Sequence, residues 1–176
     1  MSSSRELFGG AITLNLPRTL IDASDLRQVP DTQEVFLYPE SSTSIIVEVL
    51  ERVAPDDATE AAKFHFDSLA HDNDATAKTV LNVDVRTTHQ GETPPPVVLH
   101  GIQAVPKFNS TTSDEVFIHL ALYRIASKNV DLVMTMNIPV RTSDDGAVNE
   151  EHRATAEHEF DAAVSSLNIV DFGLFA

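Results

Sequence analysis

Two long β-type runs separated by a very short link constrain this chain more than any other feature. Residues 115–125 and 131–140 are rich in β-branched, aromatic and aliphatic side chains, and Ser127-Lys128-Asn129 lies between them. A parallel pair needs a crossover of about a dozen residues or more. The two runs must therefore fold back on each other as an antiparallel hairpin. Along the second run Leu132, Met134, Met136, Ile138 and Val140 point one way, while Asp131, Val133, Thr135, Asn137 and Pro139 point the other.

The rest of the chain is compatible with a sheet built around that hairpin. Residues 6–8 and 11–16 read as strand on either side of a Gly9-Gly10 break, with Leu14 and Leu16 alternating with polar neighbours until Pro17. Residues 21–26 read as a short turn or helical piece, because Asp22 and Ser24 can bond their own backbone. Residues 34–38 and 44–53 are strands joined by a hairpin over 39–43. Asp57 followed by Glu60 has the spacing of a capping box, and Ala58, Ala62, Phe66 and Leu69 form one helical stripe behind it. Residues 80–85 read as a short strand. The Pro94-Pro95-Pro96 run makes 91–96 a loop, strand character resumes over 97–108, and 109–113 is a turn. A last helix is expected from about 149 to 167, with Ala156, Phe160, Ala163 and Leu167 as its core stripe and Glu150 and Glu151 at its favourable end. Strands, helix, strands, helix, with short connections and no repeated βαβ unit, predict an α+β fold: an antiparallel sheet with helices packed on it. The length of 176 residues suits a single domain over 1–176.

Composition narrows the chemistry. Twelve basic against 27 acidic residues give a net charge of −15, which repels nucleic acid and anionic membrane surfaces and favours a basic protein surface as partner. The absence of cysteine removes disulfides, thiolate zinc sites and a cysteine nucleophile. No apolar run approaches the ~20 residues of a membrane span, and the first residues do not read as a secretory signal. The chain reads as soluble and intracellular, which leaves the Asn109-Ser110-Thr111 sequon without use. Small size and a solvated acidic face favour a monomer.

Motifs for catalysis are missing. There is no phosphate loop, no dinucleotide fingerprint and no serine elbow. Among seven histidines, none forms an H-x-x-x-H pair, and His152 and His158 are too far round a helix to share a metal. His119, in an apolar strand, reads as a satisfied core or sheet-face histidine. Asp144-Asp145 and Glu150-Glu151 read as solvated carboxylate pairs. No catalytic residue, cofactor or metal is assigned. A hydrolase or isomerase built on His100 or His119 with a carboxylate would require a pocket uniting them.

Three blocks carry a more specific signal. They are Leu7-Phe8-Gly9-Gly10-Ala11-Ile12; then Ile21-Asp22-Ala23-Ser24-Asp25-Leu26-Arg27-Gln28-Val29-Pro30-Asp31-Thr32-Gln33-Glu34-Val35-Phe36; then Ser44-Ile45-Ile46-Val47-Glu48-Val49-Leu50-Glu51. With the closing Val170-Asp171 and Leu174-Phe175-Ala176, they resemble the Ran guanine nucleotide release factors, the nuclear-transport proteins of the Mog type. The resemblance implies a six-stranded, largely antiparallel sheet flanked by helices, the sandwich shared with the PsbP proteins. It also implies binding to the GTPase Ran, release of its guanine nucleotide, a supporting role in nuclear import, and a location in nucleus and cytoplasm. The protein would act by binding and not as an enzyme. A protein-binding adaptor of the same fold, with a main partner other than Ran, is the alternative.

The resemblance further implies an acidic patch facing Ran, whose candidates here are Glu48 and Glu51 with Asp31 and Glu34 beside them, and Arg27 in the neighbouring turn. Spacing raises a difficulty. Glu48 and Glu51 are an odd number apart and face opposite sides of an ideal strand, so a bulge or the strand's end must bring them round. Arg27 has a structural alternative, pairing with Asp31 or Glu34 to hold the turn.

Overall fold

The structure, a computed structural model, describes residues 1–106, 113–142 and 146–176. The expected 109–113 turn, the end of the 97–108 strand, the Asn109 sequon and the Asp144-Asp145 pair fall wholly or partly outside the described residues.

The strands are β1 (Ser2–Leu7), β2 (Ile12–Pro17), β3 (Ile21–Asp22), β4 (Gln33–Leu37), β5 (Ser44–Glu51), β6 (Ala77–Val85), β7 (Val97–Pro106), β8 (Ser113–Ile125), β9 (Val130–Arg141) and β10 (Asn168–Ile169). The helices are α1 (Ala58–Asp72) and α2 (Glu150–Ser166). Seven strands form one antiparallel sheet in the order β3-β4-β5-β9-β8-β7-β6, and β1-β2-β10 form a second, smaller one. The α+β expectation holds, with seven strands in the large sheet where six were expected. The difference is at one edge. The 21–26 segment contributes two residues, Ile21 and Asp22, that pair with Leu37 and Phe36 before the chain turns into a short helical piece capped by Asp22.

The β8–β9 hairpin forms as predicted, turning at Asn129, which adopts the left-handed conformation that asparagine tolerates. Its ladder shifts register near Glu115 and Val116, opposite Pro139, which has no N–H to donate. β6 starts three residues earlier than the sequence indicated, at Ala77, and its register shifts between Val80 and Asn82. Most of this edge strand is exposed, so hydrophobic alternation gave little warning of it.

Both helix caps are present. Asp57 accepts from the Glu60 N–H at 2.9 Å, and Asn149 accepts from the His152 N–H at 2.8 Å. The capping box at α1 is half made, since Glu60 turns outward toward Lys63 at 3.4 Å.

β9 lies between two cores. On one face Leu132, Met134, Met136 and Ile138 meet Phe160 and Val164 of α2 and Leu14 and Leu16 of β2. On the other, Val133 joins Leu99, Leu120 and Leu122 beneath Ala62 and Phe66 of α1. The polar-looking side of the 131–140 run is thus buried too, because α1 covers it. Gly101 on β7 makes room for Phe66: a β-carbon there would come within 2.6 Å of the Phe66 ring. The turn between β1 and β2 carries positive φ at Phe8, Gly9 and Gly10 (52°, 69° and 95°), which explains the Gly9-Gly10 pair.

Candidate protein-binding site

β5 delivers the acidic residues singled out from the sequence. Its partner β4 places Gln33 opposite Glu48, and the Gln33 amide Nε2 donates to Glu48 Oε2 at 2.5 Å. Glu48 therefore lies on the α1 face of the large sheet, beside a groove of about 400 Å³ between the end of β5 and α1. Glu51 lines the same groove. It is the last residue of β5, where strict alternation ends, so the opposite-face difficulty is resolved by the strand's end and not by a bulge within it.

Leu50, Leu69, Leu120 and Val133 supply the apolar lining of this groove, and Asp72 and His65 line it from the helix. Sequence reasoning missed both. The signal was there: His65, Leu69 and Asp72 fall at i, i+4 and i+7 on one helix face. Asp72 also closes a helix C-terminus, where the dipole disfavours negative charge.

The rear wall is a buried polar network. Asp131 is fully buried, with His65 Nε2 at 2.7 Å from Oδ2 and Arg124 Nε donating to Oδ1 at 3.0 Å. The Val53 N–H donates to Oδ2 at 3.2 Å. Burial pushes the Asp131 pKa up, but hydrogen bonds from His65, Arg124 and Val53 outweigh it and hold the carboxyl below its ordinary value. Arg124 also donates to the Val53 carbonyl at 2.8 Å and to the Pro55 carbonyl. The chain leaving β5 is thereby fastened to β8 and β9, which sets where Glu51 stands.

The other expected residues divide. The Val49 N–H donates to the Thr32 carbonyl at 2.9 Å, so the backbone at Asp31–Thr32 runs beside the same end of β5, and Asp31 is exposed there. Glu34 sits opposite Val47, one residue out of phase with the Gln33–Glu48 pair, and so faces the other side of the sheet. Its Oε2 accepts from the Phe8 N–H at 3.3 Å. Burial raises its pKa, the Phe8 hydrogen bond opposes this, and Asp22 adds to the rise. Arg27 is exposed, and among the described residues its guanidinium meets neither Asp31 nor Glu34.

His100 and His119 pair across β7 and β8 with their Nδ1 atoms in contact, and α2 brings Glu157 Oε1 to 3.9 Å from His119 Nε2. His119 is half-satisfied and not fully so: its Nε2 is buried without a hydrogen-bond partner among the described residues. Among the described residues no group of three or more candidate ligands is placed to hold a metal ion, and no helix is long and apolar enough to cross a membrane.

A family profile described as "Ran-interacting Mog1 protein" matches residues 5–139. The chain belongs to the Mog1 family. It is 34% identical to the Ran guanine nucleotide release factor of Danio rerio over 98% of this chain and 99% of that one. It is 33% identical to the nuclear import protein MOG1 of Saccharomyces cerevisiae, over 97% and 84% of the two chains. Among solved structures, the Saccharomyces cerevisiae Ran-binding protein Mog1p superposes with a TM-score of 0.75 at 30% identity, covering 100% of this chain and 99% of that one. The fold of a large sheet flanked by helices is thus shared with that structure, and in this chain the groove of Glu48 and Glu51 opens on one side of the sheet.

Proposed function

We propose that this chain binds the GTPase Ran and promotes release of its guanine nucleotide, through the groove that Glu48 and Glu51 line at the end of β5. The observation that carries this reading is the convergence of two carboxylates that meet no cation among the described residues, with Asp72 across the groove, in a member of a Ran-interacting family. Glu48 is oriented by Gln33 and Glu51 by the fastened end of β5, so the charges are held and not merely abundant. Asp31 extends the acidic edge. Glu34 and Arg27 contribute to its surroundings and lie outside the groove itself.

The mechanism needs no bond-making in this protein. A protein that binds nucleotide-free Ran more tightly than loaded Ran weakens nucleotide binding by the same factor, because linkage between two ligands is reciprocal. Fixed carboxylates supply the attraction to a basic surface, and a net charge of −15 raises the encounter rate. The chain acts as one domain and one monomer, without nucleic acid or membrane as partner, in the nuclear import process and hence in nucleus and cytoplasm.

The test is release of a fluorescent guanine nucleotide from purified Ran in excess unlabelled nucleotide. Acceleration by the wild-type chain that vanishes in the Glu48→Lys/Glu51→Lys double variant, with its melting temperature retained, supports the reading. Full acceleration by the variant would remove these residues from the site. No acceleration and no co-elution with Ran would favour the adaptor with another partner.

A further inference from the structure

A second cleft, of about 240 Å³, lies between the hairpin joining β4 to β5 and the first turns of α2, on the face of the large sheet opposite the Glu48 groove. Tyr38, Pro39 and Thr43 line it from the hairpin, and Ala156 and Glu159 from the helix, with Val148 between. Pockets that hold drug-sized molecules begin at roughly 300 Å³, so this one suits a single side chain rather than a nucleotide or cofactor.

Its polar end is built by Tyr38 and Glu159. The Tyr38 hydroxyl donates to Glu159 Oε1 at 2.9 Å, and burial together with the adjacent Glu159 charge keeps Tyr38 protonated. On the same helix the half-buried Glu157 is answered by Arg153 at 3.4 Å, and in the interior Asp131 is answered by Arg124. Glu159 has no cation among the described residues, although it is only partly exposed. On the hairpin wall the Thr43 hydroxyl is buried with no hydrogen-bond partner among the described residues. Glu40 adds negative charge at the rim, and among the described residues His152 is the one basic group lining the cleft.

We propose that this cleft is a docking site for a lysine side chain of a protein partner, its aliphatic stem lying on Pro39, Val148 and Ala156 and its ammonium donating to Glu159. An ammonium supplies the missing countercharge, and its stem matches the apolar walls. A carboxylate or phosphate would meet Glu159 and Glu40 and be repelled. Tyr38 acts as the positioning residue, because it holds the carboxylate at the mouth of the cleft.

The experiment is an NMR titration of the isotopically labelled full chain with Nα-acetyl-lysine methylamide, n-butylammonium chloride and n-butanol, following Val148, Ala156 and Thr43. Saturable shifts are expected with both cations and at least tenfold weaker binding of butanol. Glu159→Gln should weaken the lysine amide about tenfold, Tyr38→Phe by a smaller factor, and Glu48→Lys not at all. Circular dichroism of each variant separates lost binding from lost folding. Equal binding of butanol and butylammonium, or binding indifferent to Glu159→Gln, overturns the site. Binding of butylammonium without the lysine amide overturns the protein-side-chain assignment in favour of free amines.

Discussion

Arg124 Nε donates to Asp131 Oδ1 at 3.0 Å, and the carboxylate it meets has no exposure to solvent. Removing one partner of such a pair strands the other charge in the interior. Arg124→Ala should therefore cost about 3–5 kcal/mol, more than a surface ion pair. It should also slacken the chain at Val53 and Pro55 and so disturb the position of Glu51. Urea unfolding measures the first effect. Nucleotide release from Ran, assayed where the variant is still folded, measures the second.

The Phe66 ring occupies the space that a side chain at 101 would need. Gly101→Ala should destabilise the protein by about 1–3 kcal/mol through overpacking, without altering any charged group. A thermal melt checks this, and an unchanged midpoint would mean that Phe66 can move aside at no cost.

Acidification should act through His119. Burial lowers its pKa from 6.5 to about 4, and the neighbouring His100 and Arg153 push the same way while Asp161 opposes them. Burial lowers His100 as well, against the pull of Asp161 and Glu157. A base with a depressed folded pKa stabilises the native state in its neutral form. That stability is complete above pH 6.5 and is lost as the pH falls toward about 4, on the order of 3 kcal/mol for His119 alone. His119→Phe, which keeps a ring beside Phe160, should flatten the stability profile across this window. Urea midpoints at several pH values read it directly.

Glu34 and Glu48 are close in the β4–β5 ladder but should behave as different kinds of residue. Glu34→Ala removes the acceptor for the Phe8 N–H and should cost about 1 kcal/mol while leaving nucleotide release intact. Glu48→Lys should do the reverse. Paired melts and release assays would expose any exchange of these roles.

Much of this was legible in the residues. The Ser127-Lys128-Asn129 link dictated the central hairpin, Asp57 marked its helix through cap chemistry, and Glu150 and Glu151 marked the start of the second. β6 was half-hidden because an exposed edge strand lacks the alternation that burial imposes. Asp131 read as the polar side of a strand, since sequence periodicity does not reveal a helix lying over it. Glu48 and Glu51 were found through family blocks. Their shared groove, and the part of Asp72 and His65 in it, depended on how the end of β5 meets α1, a long-range packing result that no local pattern encodes.

The smaller sheet carries a consequence for how the protein is made. β2 holds β1 along one edge, and on the other it takes Asn168 and Ile169, which pair with Thr13 and Ile12. Ile169 and Phe175 belong to the same core as Leu14 and Met134. Ile12 and Thr13 thus wait for Asn168 and Ile169 before the apolar surface of β1 and β2 is closed. During synthesis β1 and β2 form a sticky, unfinished ribbon, and this protein should depend on chaperone cover until β10 emerges.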